Sequence, residues 1–414
     1  MMIQSNRLDE CRVCHRKRVR KFLSLGKTAL ANNFLTREQL KRHEPVYPLE
    51  VGYCRGCRYV QLWKPVPPKA MFDRYLYVSS TSSTLSRHLT SVADAVVQKL
   101  GLTDGDLVVD IGSNDGCLLR GFKAHGVHVL GVEPARNLVG LARRAGVATY
   151  NGYFSLATAK RLRRRYGPAM AVTATNSFLH IPDLDDYLAG LDAWMAPEGV
   201  FVIEFHYLAD LMKQGAFDTV YHEHVSYYSL HPLIFLFDRF GMEVMDVKRL
   251  PVHHGQLRVY VKRKTGSRPV ADSVAQLLDA ETRLGLGRYA TYAVFARNVF
   301  HNIRKIQRTL LGLKRSGASI AGYGAPAKGN TLLNVCRIGP DVLDFIADKS
   351  RLKQGLFTPG QHIPVVPAEK ILQAQPDYLL LLAWNFAEEI MQEQGEYIRR
   401  GGKFIVPVPR VRII

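Results

Sequence analysis

Apolar residues follow two rhythms along this chain. From residue 107 onward, short runs such as Leu107-Val-Val-Asp-Ile111 alternate with longer stretches in which apolar side chains recur every three or four positions. Short apolar runs suit strands covered on both faces, and the longer period suits amphipathic helices. Strands are expected at 107–111, 128–132, 170–175, 199–204, 243–248 and 257–262, with helices between several of them. Such alternation predicts a parallel, doubly wound sheet. Residues 84–100 read as an amphipathic helix ending at Gly101, and 271–316 as a long helical stretch without strand signals. A second alternating block follows, with strands near 318–322, 343–347, 377–382 and 403–407. The expected fold class is α/β, with two Rossmann-like domains behind a small N-terminal module. The expected division is 1–70, 71–262, a helical connection 263–316, and 317–414, with the proline-rich Trp63–Lys69 as the first exit.

Composition changes this picture little. The chain has 414 residues, 47% hydrophobic and 22% charged, as in an ordinary globular protein. The best apolar run, Tyr378–Trp384, is too short to span a bilayer and suits a buried strand. The N-terminus lacks the apolar core of a secretory signal, so a cytoplasmic location and no membrane partner are expected. Net charge is +20, and residues 1–70 carry 15 Lys or Arg against 5 Asp or Glu. That excess could bind nucleic acid, but a solvated surface that attracts small anionic substrates accounts for it as well, and the latter is the reading adopted.

The first chemical signal is Cys11-x-x-Cys14 with Cys54-x-x-Cys57. Two such knuckles supply four thiolates, the donor set of a structural zinc. A redox dithiol needs one pair only. Haem attachment through Cys11-Arg-Val-Cys14-His15 would leave the second pair unexplained. A closed four-thiolate site has no open position, so Zn2+ is expected to stabilise and not to catalyse. Cys117 and Cys336 read as lone buried thiols.

The second signal is a strand, glycine turn and helix start at Leu107–Leu119, with Gly112-x-x-x-Gly116 preceded by Asp110. This spacing departs from GxGxxG. Glu133-Pro134 closes the next strand, where an acid can grip a ribose diol. An acid at the first strand's end suits a ligand carrying positive charge. Together these favour S-adenosylmethionine (SAM) over NAD. Asp110, Gly112, Ser113, Asp115, Gly116, Glu133, Pro134 and Asn176 are the candidate cofactor-binding residues. Asn176 and His180 follow a later strand on the crevice side, although His180 alone could be a surface histidine at a helix start.

A second glycine turn, Ile320–Asn330, contains Gly322-x-Gly324-x-x-Ala327, followed by Asp348 near the end of a strand-like run. It reads either as a nucleotide or diphosphate site or as a tight structural turn, and it does not by itself secure NAD. Candidate substrate-binding residues are Gly322, Gly324, Lys328, Asn330, Asp348 and Lys353.

Between the two turns lies Phe217–Leu230, with Tyr221-His222-Glu223-His224 at its centre. Histidine titrates near neutrality, so the segment has the groups needed to move protons. The HExxH spacing of zinc proteases is absent. The segment follows a strand ending Ile203-Glu204-Phe205-His206, which favours a crevice location over a merely polar loop.

Taken in order, the cysteine module, Val-Val-Asp-Ile-Gly-Ser-Asn-Asp-Gly, Asn-Ser-Phe-Leu-His-Ile-Pro, Tyr-His-Glu-His, Gly-Tyr-Gly-Ala-Pro-Ala-Lys-Gly-Asn and Pro-Gly-Gln-His-Ile-Pro-Val resemble the SAM-dependent C-methyltransferases of nucleotide-linked deoxy-keto-sugars. The likeness covers essentially the whole chain. It implies a zinc domain, a SAM domain, a C-terminal Rossmann-like domain, and a substrate in the cleft, usually linked to thymidine diphosphate. It also implies methyl transfer to C3 of a 4-keto-sugar, with His224 as base and Tyr221, Glu223, His180, Tyr75 and Tyr77 around it. A C–H beside a ketone needs a base and donors at the ketone oxygen, which is what such a set would supply. Competing expectations are an O-methyltransferase, a zinc-finger RNA methyltransferase and an NAD-dependent oxidoreductase. The pI near 9.7 is not implied by the resemblance.

Overall fold

A computed structural model describes residues 10–73, 75–251 and 255–414, and the first nine residues of the expected zinc module lie outside them. The described residues form three sheets. The N-terminal sheet is antiparallel, with strands Val19–Thr28, Tyr47–Cys54 and Val60–Leu62 in that order. None of these three is among the strands expected from the apolar pattern. The fourth strand, Ser226–Tyr227, comes from far along the chain and pairs Val60 with Tyr227 and Gln61 with Ser226. The middle of the chain thus completes the N-terminal sheet.

The central sheet has seven strands, in the order Met242–Leu250, Gln256–Arg263, Met195–His206, Ala169–Thr175, Leu107–Ile111, His128–Glu133, Thr149–Asn151. The six expected strands are present, and Thr149–Asn151 was not anticipated. One departure concerns direction: Gln256–Arg263 runs antiparallel to both its neighbours. Only five residues join it to the strand before, and a parallel return needs a crossover of about a dozen or more residues. Chain order reverses between Leu107–Ile111 and Ala169–Thr175, and there the ends of neighbouring strands open a crevice for a ligand.

The C-terminal sheet is parallel over five strands, Val365–Val366, Ile346–Ala347, Ile320–Tyr323, Tyr378–Leu381 and Lys403–Val406, and closes with antiparallel Arg412–Ile413. The expected helical stretch is two helices, Asp272–Arg283 and Tyr289–Arg315. Gly285, at φ +71°, interrupts it, because that backbone conformation cannot continue a right-handed helix.

The second helix buries Tyr292, Phe295, Ala296, Val299, Ile303, Ile306 and Leu310, a stripe of helical period. This stripe belongs to one apolar cluster that also contains Leu23, Leu49 and Val51 of the N-terminal sheet and Ile320, Leu379 and Phe404 of the C-terminal one. The two outer modules therefore share a core. The cysteine knuckles instead pack into the cluster of the central sheet, beside Tyr228 and Phe237.

The central sheet buries an ion pair. Glu204 is 1% exposed, accepts from Arg258 Nε at 2.8 Å and meets His88 Nε2. Burial alone would raise its pKa, but the hydrogen bond from His88 and the positive charge of Arg258 outweigh that and hold it below the usual carboxylate value. A depressed pKa makes the pairing stabilising at neutral pH, a contribution lost as the pH falls through the folded-state value. Glu204→Ala should cost about 3–5 kcal/mol in urea unfolding, since it strands the guanidinium of Arg258 in the core. A loss below about 1 kcal/mol would mean that water reaches the pair.

Candidate active site

The stretch Phe217–Leu230 hangs between all three modules. On the N-terminal side, His222 is 1% exposed with Nε2 facing the Pro48 carbonyl at 3.3 Å. Glu223 Oε1 accepts from Asn32 Nδ2 at 2.7 Å. The Val225 carbonyl accepts from Leu62 N at 3.0 Å and from the guanidinium of Arg12, a residue inside the first cysteine knuckle. Ser226 Oγ takes the Tyr59 hydroxyl. On the C-terminal side, buried Asp218 accepts from Trp384 Nε1 at 2.5 Å, and Lys328 lies over the same indole, 5.6 Å from its centroid.

His224 faces inward between these anchors. Its Nδ1 contacts the Thr219 carbonyl at 2.8 Å, and a carbonyl can only accept, so Nδ1 carries the proton and Nε2 the lone pair. Its ring lies 3.9 Å from that of Tyr221, 5.4 Å from His180 in a stack, and 5.8 Å from His206. Phe72 stacks on the other face of the His180 ring at 5.3 Å. Burial pushes the pKa of His224 well below its ordinary value, and the nearby His180 lowers it further. Burial also takes His180 down to about 3. Both are therefore neutral at physiological pH. Glu223 is pushed up to about 7 by burial, against the pull of its Tyr75 and Asn32 hydrogen bonds. The Tyr75 hydroxyl reaches its Oε2 at 2.7 Å. Tyr77 stands apart at 44% exposed, its ring edge-on to Tyr75 at 6.4 Å.

The first glycine turn is shaped by contacts that leave no room for side chains. A Cβ on Gly112, at φ +76°, would sit 2.5 Å from Ser177 Cβ. Gly116 caps the helix Cys117–Ala124. Asp110 accepts from Thr173 Oγ1 at 2.6 Å, and burial raises it to about 7. Glu133 takes the amides of Asn114 and Ala135 at 2.9 and 2.8 Å, so it braces the turn, and each oxygen has a second lone pair to offer. Burial raises it to about 6. The Pro134 carbonyl accepts from Asn151. Asn176 sits at φ +56° with Oδ1 toward Gln256 Nε2 at 3.4 Å. Tyr75–Ser80 crosses this turn, tied to Asn114, Asp115 and Asn137. The fit to SAM rests on buried atoms lacking partners: Ser113 Oγ, Asp115 Oδ1 and Gln256 Oε1. Three buried carboxylates, Asp110, Asp115 and Glu133, and these three orphaned oxygens suit a cation that also bears donor hydroxyls.

In the second glycine turn, Gly322 has no space for a Cβ beside Ile346, and Gly324 adopts φ +78° against Ala383. Asp348 accepts from Ala325 N and Ser350 N at 2.6 and 2.7 Å. Lys353 donates to the Ala325 carbonyl at 2.8 Å. Asn330 is wholly buried and donates to the Ala31 carbonyl at 2.7 Å, so its amide joins the two outer modules. Of the substrate candidates, Lys328 lines a crevice shared with His206, Thr219, Gly255 and Trp384.

Cys11, Cys14, Cys54 and Cys57 come together with all four Sγ atoms within 4.8 Å of one another, and none forms a disulfide. Four converging thiols with one partly exposed suit tetrahedral zinc held as a closed structural site.

The sequence reading passed over Asn32, Asp218 as an anchor, Trp384, His206 and Gln256. Only His206 carried a signal, as the last residue of a strand ending at the crevice. Asn32 and Trp384 reach the site across domain contacts that no local pattern reveals.

The fold and site define a SAM-dependent methyltransferase. Family profiles match a zinc binding domain over residues 11–72, a methyltransferase domain over 85–247 and a C-methyltransferase C-terminal domain over 251–409. C-methyltransferase NovU of Streptomyces niveus is 40% identical over 407 residues, covering 98% of this chain and 97% of its own. The chain belongs to this C-methyltransferase family. It is therefore a SAM-dependent C-methyltransferase with a zinc-binding domain. Magnesium protoporphyrin IX methyltransferase of Synechocystis PCC 6803 with bound SAH overlaps 43% of this chain and 83% of that one, at 15% identity and TM-score 0.33. A SAM-dependent methyltransferase of Clostridium acetobutylicum ATCC 824 overlaps 43% and 92%, at 11% identity and TM-score 0.34. Both superpositions are too partial to bear on the assignment. Among the described residues, no helix is long and apolar enough to cross a membrane.

The knuckle holding Arg12 against Val225 makes the metal's effect on the segment measurable. Cys54→Ser should lose the bound zinc, lower the melting temperature and speed amide exchange at residues 222–226. A metal-free chain with unchanged melting and exchange would overturn the structural assignment.

Proposed function

We propose that this enzyme methylates C3 of a nucleotide-linked 4-keto-deoxy-sugar through an enolate, with thymidine diphosphate as the expected carrier. The observation that carries the reading is His224: neutral, buried, and fixed by the Thr219 carbonyl in the tautomer that leaves Nε2 basic. Bound SAM supplies an electrophilic methyl group. Nε2 of His224 takes the C3 proton. The Tyr221 hydroxyl or His180, stacked beside it, donates to the oxygen on which charge grows. Glu223 orients the Tyr75 hydroxyl, and Tyr77 closes the exposed side.

In this reading the cofactor lies over Gly112–Gly116, with Asp110, Ser113, Asp115, Glu133, Pro134 and Asn176 around it. The sugar nucleotide reaches from His224 toward Lys328, with Gly322, Gly324, Asp348 and Lys353 beyond. The division 1–70, 71–262, 263–316 and 317–414 assigns zinc, cofactor, connection and nucleotide to separate parts. A low pKa makes His224 a weak base in water, so close positioning must supply much of the acceleration.

His224→Asn should abolish turnover of a thymidine-diphospho-4-keto-6-deoxyhexose while leaving SAM affinity unchanged. In deuterated water without SAM, the wild type should exchange hydrogen at C3 and the variant should not. Turnover by the variant, or a methyl group found on oxygen, would sink the assignment.

A further inference from the structure

We propose that Asn32, a residue of the zinc module, is a positioning residue that keeps the Glu223 carboxylate ionised and oriented for the reaction. The inference rests on the reading of Glu223 given above. Glu223 is 3% exposed, and each of its oxygens has one donor: Asn32 Nδ2 on Oε1 and the Tyr75 hydroxyl on Oε2, both at 2.7 Å. The two donors are not equivalent. A tyrosine hydroxyl can donate or accept, so it is compatible with either protonation state of the carboxyl. The amide nitrogen of Asn32 can only donate, and it bonds more strongly to a carboxylate than to the carbonyl oxygen of a neutral acid, so it favours the ionised form.

The backbone around Asn32 is held from several sides. Asn33 N closes a turn onto the Leu30 carbonyl at 3.0 Å. The Ala31 carbonyl accepts from buried Asn330 of the C-terminal sheet's first helix. Leu35 pairs with Phe357. The amide is thus delivered to Glu223 by a turn clamped between the outer modules. Among the described residues, the titratable groups facing Glu223 are the tyrosines Tyr75 and Tyr221, and neither brings a positive charge that would replace the amide. Burial already places Glu223 at about 7, where loss of one donor changes its charge state under working conditions.

The test uses Asn32→Ala and Asn32→Asp in the full-length holoenzyme, with Asn33→Ala as control. Glutamate carboxyls are labelled with 13C, and Glu223 is assigned by its absence from the Glu223→Gln spectrum. Asn32→Ala should raise the Glu223 titration by about one unit, and Asn32→Asp by more, because like charges repel. With a thymidine-diphospho-4-keto-6-deoxyhexose as probe, kcat should fall about tenfold on the acidic side of neutrality and recover in alkaline buffer, with KM little changed. Asn33→Ala should match the wild type. An unchanged Glu223 titration in both variants overturns the proposal. So does a pH-independent loss of activity together with lowered melting temperature or zinc content. A wild type that methylates no such sugar removes the proposed function instead, while the carboxyl titration, which needs no substrate, still decides the role of Asn32.

Discussion

The pairing of Val60–Leu62 with Ser226–Tyr227 is the contact on which the rest of the site depends. It makes two residues that lie between the central strands Met195–His206 and Met242–Leu250 part of the N-terminal sheet. His224 lies two residues before that pairing and five after the Thr219 carbonyl that sets its tautomer. Its position is therefore bounded at one end by the zinc module and at the other by the turn around Asp218, which Trp384 of the C-terminal domain holds. A short irregular segment with no regular structure of its own gains rigidity from neighbours on both sides.

That constraint has an electrostatic counterpart. The same closure that fixes His224 removes it from water, which lowers its basicity and raises that of Glu223. A solvated histidine would be a better base but would be free to rotate and to protonate. The enclosed one has its lone pair always available and aimed. In the proposed reaction this trades intrinsic base strength for alignment, which suits a carbon acid whose proton must leave along one direction.

Much of this was legible in the amino-acid sequence, and unevenly. Runs buried on both faces, such as Leu107–Ile111 and Ala169–Thr175, betray themselves by apolar residues at successive positions. The four cysteines announce their cluster by spacing alone. The strands of the N-terminal sheet did not stand out, because Val19–Thr28 carries lysine, arginine and serine on its open face and two register shifts in its pairing. The antiparallel direction of Gln256–Arg263 was implicit in the short connection before it. Asn32 as a site residue and Asp218 as an anchor were invisible, since their roles arise from contacts made across more than a hundred positions of sequence.

The division of labour among the modules follows from the same physics. A doubly wound sheet offers a crevice at its strand tips but no side chains on the far side of a bound ligand. The central domain can place a methyl donor over Gly112–Gly116, yet on its own it would leave the face opposite that turn open to water. The zinc module contributes donors and one sheet edge, and its four cysteines offer a metal site that can brace it. The C-terminal domain contributes Trp384 and Lys328 on the remaining side. Because both outer modules share one apolar core through Tyr289–Arg315, they are fixed to each other as well as to the segment between them. The enclosure around His224 is thus built from parts packed against one another, so the stretch of a dozen residues proposed to be catalytic is braced by distant parts of the chain.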